Sequence, residues 1–159
     1  MEKFNHIELN NEVTKRGDNG FFRLEKDQEA IAEFLREVDY KTVKFSSEIK
    51  RLRYLVEENY YYNIFDKYIE DEIVECLELA ANYKFEFKSY MAASKFYKDY
   101  ALKTNDKKQY LENYNQHVFI VAMYLADGNV SLAKELMISM LEQRVQPATP
   151  TFLNSGRSR

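Results

Sequence analysis

The sequence predicts a mainly α-helical fold, and three observations carry that reading. Apolar residues recur at i, i+3, i+4 and i+7 through most of the chain, the spacing that lines one face of a helix. No glycine occurs between Gly20 and Gly128, which removes the commonest helix stop from the middle of the chain. Val118 to Ala126 is apolar on every side, as expected of a helix at the centre of a bundle. The expected organisation is an N-terminal β-hairpin region over 1–25, a helical domain over 26–145 and a C-terminal extended segment over 146–159.

The hairpin expectation rests on Val13–Arg16 and Phe21–Leu24, which flank Gly17-Asp18-Asn19-Gly20, residues that readily supply positive φ. Asp27 then offers an N-cap for a helix marked by Ile31, Phe34, Leu35 and Val38. Ser46 or Ser47 can cap a second stripe, Ile49, Leu52, Leu55 and Val56. Ile73, Val74, Leu77 and Ala80 mark the next, and Met91, Phe96, Tyr97 and Tyr100 suggest another after Ser89. Asp127-Gly128-Asn129 supplies a stop and a new cap, after which Leu132, Ala133, Leu136, Met137, Met140 and Leu141 complete an αα-hairpin. Pro147 and Pro150 then bias Gln146 and Thr149 toward extended backbone. Thr151-Phe152-Leu153 reads as the opening of a strand and Asn154-Ser155-Gly156 as a turn, an ending that reads as a join to something further.

At 159 residues the chain has room for one domain with a real core. Charged residues make up 31% and the formal charge is 23 − 26 = −3, so no basic field draws in nucleic acid. A single cysteine excludes an internal disulfide framework and argues against a thiolate zinc site. The first residues lack an apolar signal core, and Val118–Ala126 falls well short of the ~18 residues a membrane span needs. A cytoplasmic protein with no membrane and no direct nucleic-acid partner is expected.

Tempting residues have plain explanations. Cys76 shares a helix face with Ile73, Leu77 and Ala80 and reads as a core thiol, which burial leaves inert. His6 and His117 do not define a metal site, and no Glu-x-x-His pair, phosphate loop or Gly-x-Ser-x-Gly elbow occurs. Tyr60-Tyr61-Tyr62 belongs to a set of 13 tyrosines and lacks the interleaved Lys and Arg of a base-stacking surface, so packing is expected. Lys103 to Lys108 reads as a solvated loop. No catalytic residue and no metal ligand is expected from these residues.

Two stretches are more specific than their composition. Phe96-Tyr97-Lys98-Asp99-Tyr100-Ala101-Leu102-Lys103-Thr104-Asn105-Asp106-Lys107-Lys108 closely resembles a segment of class Ib ribonucleotide reductase large subunits. So does Gln146-Pro147-Ala148-Thr149-Pro150-Thr151-Phe152-Leu153-Asn154-Ser155-Gly156-Arg157, where that family usually has Ala for Ser155. His6 to Val13 and Tyr54 to Glu57 add to a resemblance that runs in order along the whole chain. It implies a helical domain followed by the first strand of a ten-stranded α/β barrel, in an enzyme that reduces ribonucleoside diphosphates through a thiyl radical. The radical would come from a dimetal–tyrosyl cofactor in a separate small subunit, and no cofactor is expected in this chain.

Thr149 matches the family's substrate-contacting threonine; its hydroxyl either meets a nucleotide oxygen or simply opens a strand. The resemblance places the redox and radical cysteines, the glutamate and the asparagine of the active site beyond Arg159, so the chain is expected to be inactive alone. The stretch after Val13 resembles the start of an ATP-binding cone, with too little sequence for a whole one. The leading expectation is therefore the N-terminal portion of the reductase large subunit, with the remainder of that subunit as partner and the radical-bearing small subunit as a second. The alternatives are a stand-alone truncated form, phage-encoded, that binds or modulates an intact reductase, and a helical-repeat adaptor, for which only one helix pair is present.

Overall fold

In a computed structural model of the chain, residues 20–143 and 155–157 are described, and they are helical throughout apart from loops and isolated bridges. Six α-helices follow in order: α1 Gly20–Tyr40, α2 Glu48–Glu57, α3 Glu70–Asn82, α4 Tyr90–Lys95, α5 Tyr114–Ala126 and α6 Val130–Leu141. Among the described residues no strand forms. They divide into two units that each take two pieces of chain, Met1–Val43 with Glu86–Leu111, and Lys44–Phe85 with Glu112–Arg159.

In the first unit α1 covers Gly20–Tyr40, which corrects two expectations. Phe21–Leu24 is helical and is not the second arm of a hairpin; the other arm, Val13–Arg16, lies outside the described residues. Extending an existing helix gains a hydrogen bond per residue, whereas a strand must find a partner. Asp27 accordingly does not start α1. Its Oδ1 instead accepts the Tyr90 backbone N–H at 3.1 Å, at the first residue of α4, where Ser89 also accepts from Ala92 at 3.0 Å. The capping chemistry was legible and the helix it serves was not.

The buried face of α1 is Ala30, Phe34 and Val38. The Phe34 ring meets Tyr90 and Tyr97 edge-on at centroid distances of 5.7 and 5.9 Å, and Tyr97 meets Tyr110 at 5.3 Å, an arrangement aromatic quadrupoles favour. After α4 the chain widens into a π-helical turn, Phe96–Tyr100, in which the Ala101 N–H donates to Phe96 O at 2.9 Å. That turn buries both Phe96 and Tyr97, while Met91, expected on the same apolar stripe, is 78% exposed. The Lys103–Lys108 loop is indeed solvated and closes on itself. Asp106 accepts from the Thr104 hydroxyl at 2.6 Å and from Lys108 N at 3.0 Å, and Lys107 takes φ 60°.

In the second unit Ser47 caps α2 and Asn113 caps α5, the latter reciprocally: its side chain accepts from Gln116 N at 2.9 Å and its N–H donates to the Gln116 side chain at 2.8 Å. Glu70, Asp71 and Glu72 place negative charge on the first turn of α3, where the helix dipole favours it. Asn115 donates to Ala80 O and Tyr83 O at 2.8 and 2.9 Å, closing the other end of α3. The expected αα-hairpin is present: Asp127 adopts the left-handed conformation at φ 44°, Gly128 follows at φ 97°, and Asn129 caps α6. Helix α5 packs against α3 and α6 and is buried from His117 to Met123, with Tyr124 and Leu125 emerging at its last turn. On α6, Ala133, Met137, Met140 and Leu141 are buried and Leu132 is exposed.

Candidate functional site

The most unusual chemistry in the described residues is a carboxylate sealed inside the second unit. Glu112 sits one residue before the Asn113 cap, so its backbone leads directly into α5, and His117 stands on the first turns of that helix. Both side chains are 0% exposed. Tyr61 reaches them from the chain after α2, where Asn59 turns at φ 61° and Tyr60 and Tyr61 both donate to Leu55 O. Arg51 projects from α2 beside Leu52 and Leu55 and is itself buried. Arg157 arrives from the far end of the chain.

These groups converge on Glu112. His117 Nδ1 lies 2.6 Å from Oε1, and Arg157 Nη2 donates to the same oxygen at 2.8 Å. The Tyr61 hydroxyl donates to Oε2 in a short contact and accepts from Arg51 Nη2 at 3.0 Å. At the rim, Glu48 lies 3.8 Å from Arg51 Nη1 and accepts from the Gln116 side chain at 2.9 and 3.1 Å. Burial alone would raise the Glu112 carboxyl, but His117, Arg157 and the Tyr61 hydroxyl outweigh it and hold the group well below the usual carboxylate range. Burial, with the Glu112 charge, outweighs Arg51 and pushes the Tyr61 phenol far above its ordinary value. The cluster is thus an ionised carboxylate, which can only accept, facing donors on several sides; His117 Nδ1 then carries its proton toward Oε1. With both members of the pair cut off from solvent, the arrangement suits holding chain segments together and not acid–base work on a bound molecule.

Thr149 and His6 lie outside the described residues. His117 belongs to the ionic cluster, and among the described residues no group of His, Cys, Asp and Glu is gathered to hold a metal ion. Cys76 is a core thiol on α3, 0% exposed, and burial pushes it up to about 11 from an ordinary 9.0. That shift leaves about a hundredfold less thiolate at neutral pH. A colorimetric disulfide reagent should therefore react very slowly with the folded chain and at once with the chain in denaturant; equal rates would contradict the burial. Tyr60 and Tyr61 are packed, as expected. No described helix is long and apolar enough to cross a membrane.

The cluster was missed from sequence. One trace of it was visible: Arg51 interrupts the apolar stripe beside Leu52 and Leu55, and a cation there needs a buried partner.

What these features define, among the described residues, is a helical structure with a buried carboxylate held by an imidazole, a guanidinium and a phenol. The chain belongs to the ribonucleotide reductase family. Residues 6–85 match the family model described as ribonucleotide reductase N-terminal, and residues 86–159 match its all-alpha domain. The ribonucleoside-diphosphate reductase NrdEB subunit alpha of Bacillus subtilis is 46% identical over 157 residues, which is 98% of this chain and 14% of that protein. The corresponding subunit of Bacillus phage SPbeta gives the same identity and coverage, 46% over 98% of this chain and 14% of the relative. A second subunit alpha of Bacillus subtilis is 46% identical over 155 residues, 96% of this chain and 22% of the relative. The chain therefore spans between 14% and 22% of the length of these relatives. The described units do not follow the boundary between the two family matches, since Glu86–Leu111 packs with the chain before Lys44.

Proposed function

We propose that this chain is the N-terminal portion of a class Ib ribonucleoside-diphosphate reductase alpha subunit, a cytoplasmic protein that takes part in deoxyribonucleotide synthesis for DNA replication. The observation that carries this reading is similarity along 98% of the chain to alpha subunits of which it spans 14%. On this reading the helical domain supports a catalytic barrel supplied by the remainder of the large subunit, and the radical comes from a dimetal–tyrosyl small subunit. Thr149 contacts the substrate. The chain alone does not reduce nucleotides, because thiyl chemistry needs a thiol beside the ribose and its one cysteine is buried in the core.

The test combines the chain with a polypeptide supplying the remainder of the alpha subunit and with the radical-bearing small subunit, then measures deoxynucleoside diphosphate. Product is expected from the mixture and none from the chain alone. Product from the chain alone, or none from a folded mixture, would overturn the reading. The phage SPbeta relative favours a second reading, a phage-encoded form that stands alone and binds or modulates an intact reductase. Retention of an intact alpha or small subunit in a pull-down, with no activity in the mixture, would establish that second reading.

A further inference from the structure

We propose that Glu112 and Arg157 form a latch that fixes the Ser155–Gly156–Arg157 segment in register against α5 and the chain after α2. Two attachments are crowded into these residues, a backbone bridge and an ion pair. The Tyr62 N–H donates to Gly156 O at 2.9 Å, and Tyr61 and Arg157 form an isolated antiparallel bridge. Arg157, whose side chain is 10% exposed, donates to the sealed Glu112 carboxylate. Gly156 fits because it has no side chain: a Cβ there would lie 2.5 Å from Ile120 Cγ1 and 3.0 Å from Ile120 O, at a φ of +81° that other residues resist.

The chemistry suits a registered stop better than general adhesion. Arg157 meets the sealed carboxylate through one Nη2–H, a charge contact, and the glycine pressed on α5 admits no slippage by one residue. Glu112 is also held by His117 from α5 and by Tyr61 from the chain after α2, so the carboxylate keeps partners in the helical unit besides Arg157.

The test is amide hydrogen exchange on the whole chain, with the Tyr62 N–H as reporter and the α5 amides as internal reference. Arg157→Gln and Gly156→Ala should each speed Tyr62 exchange tenfold or more while α5 keeps its protection. Arg157→Lys, which retains the charge, should restore most of it. Unchanged Tyr62 exchange in Arg157→Gln would overturn the latch. So would an Arg157→Lys protein as fast as Arg157→Gln, or joint loss of protection across α5, which would make Arg157 part of the core. If the exchange results hold and every mixture is inactive, the latch stands and the proposed function falls.

Discussion

Glu112→Gln is expected to destabilise the second unit by roughly 3–5 kcal/mol, the usual cost of removing one partner from a buried ionic contact. The substitution keeps the shape of the side chain, so the loss reflects charge. Arg157 would remain in a sealed site facing a neutral amide, and an amide NH2 would point a donor at groups that already donate. A urea titration should show a lower midpoint with an unchanged slope. A shift worth less than about 1 kcal/mol would mean that solvent reaches the cluster freely and the pair behaves like a surface ion pair.

The pH dependence gives the same argument a sign. The folded state holds the Glu112 carboxyl below its ordinary 4.5, so below that pH the unfolded chain takes up a proton there that the folded chain does not. The stability supplied by the carboxylate is complete above that value and drains away as the pH falls toward the folded one. Glu112→Gln has nothing to titrate at this position. The gap between wild type and variant should therefore narrow as the pH is lowered from about 5 to about 3, and a gap that widened would contradict the depressed carboxyl.

What was legible in the sequence was whatever is decided within one turn of helix. Ser47, Ser89 and Asn129 cap the helices expected of them, because a cap acts on a backbone N–H three residues away. Asp127 and Gly128 stop α5 for an equally local reason. Asp27 marks where this ends: its appetite for a helix N-terminus was clear, yet the N-terminus it serves is 63 residues further on. Met91 was misplaced because the π-helical turn at Phe96–Tyr100 shifts the period that put it on the buried stripe. The ionic cluster was the least legible part. Glu112 and Arg157 lie 45 residues apart and Glu112 and Tyr61 lie 51 apart, and no periodicity links groups at such separations. The family resemblance drew attention to the stretch ending in Arg157 without disclosing what Arg157 holds.

Phe119→Ala should cost a similar amount, about 3–5 kcal/mol, by a different route. Phe119 is among the largest side chains fully buried in the structure and lies in the part of α5 enclosed from His117 to Met123. Helices α3 and α6 both pack on α5, so truncating the ring opens a cavity that neighbours on two sides would have to fill together. Alanine's better helix propensity returns only about 0.5 kcal/mol. Leu125→Ala on the same helix is the control, because its side chain is 40% exposed and loses far less contact. Thermal or urea unfolding should separate the two variants clearly. Equal and small effects would mean that α5 is a peripheral helix, which its burial from His117 to Met123 contradicts.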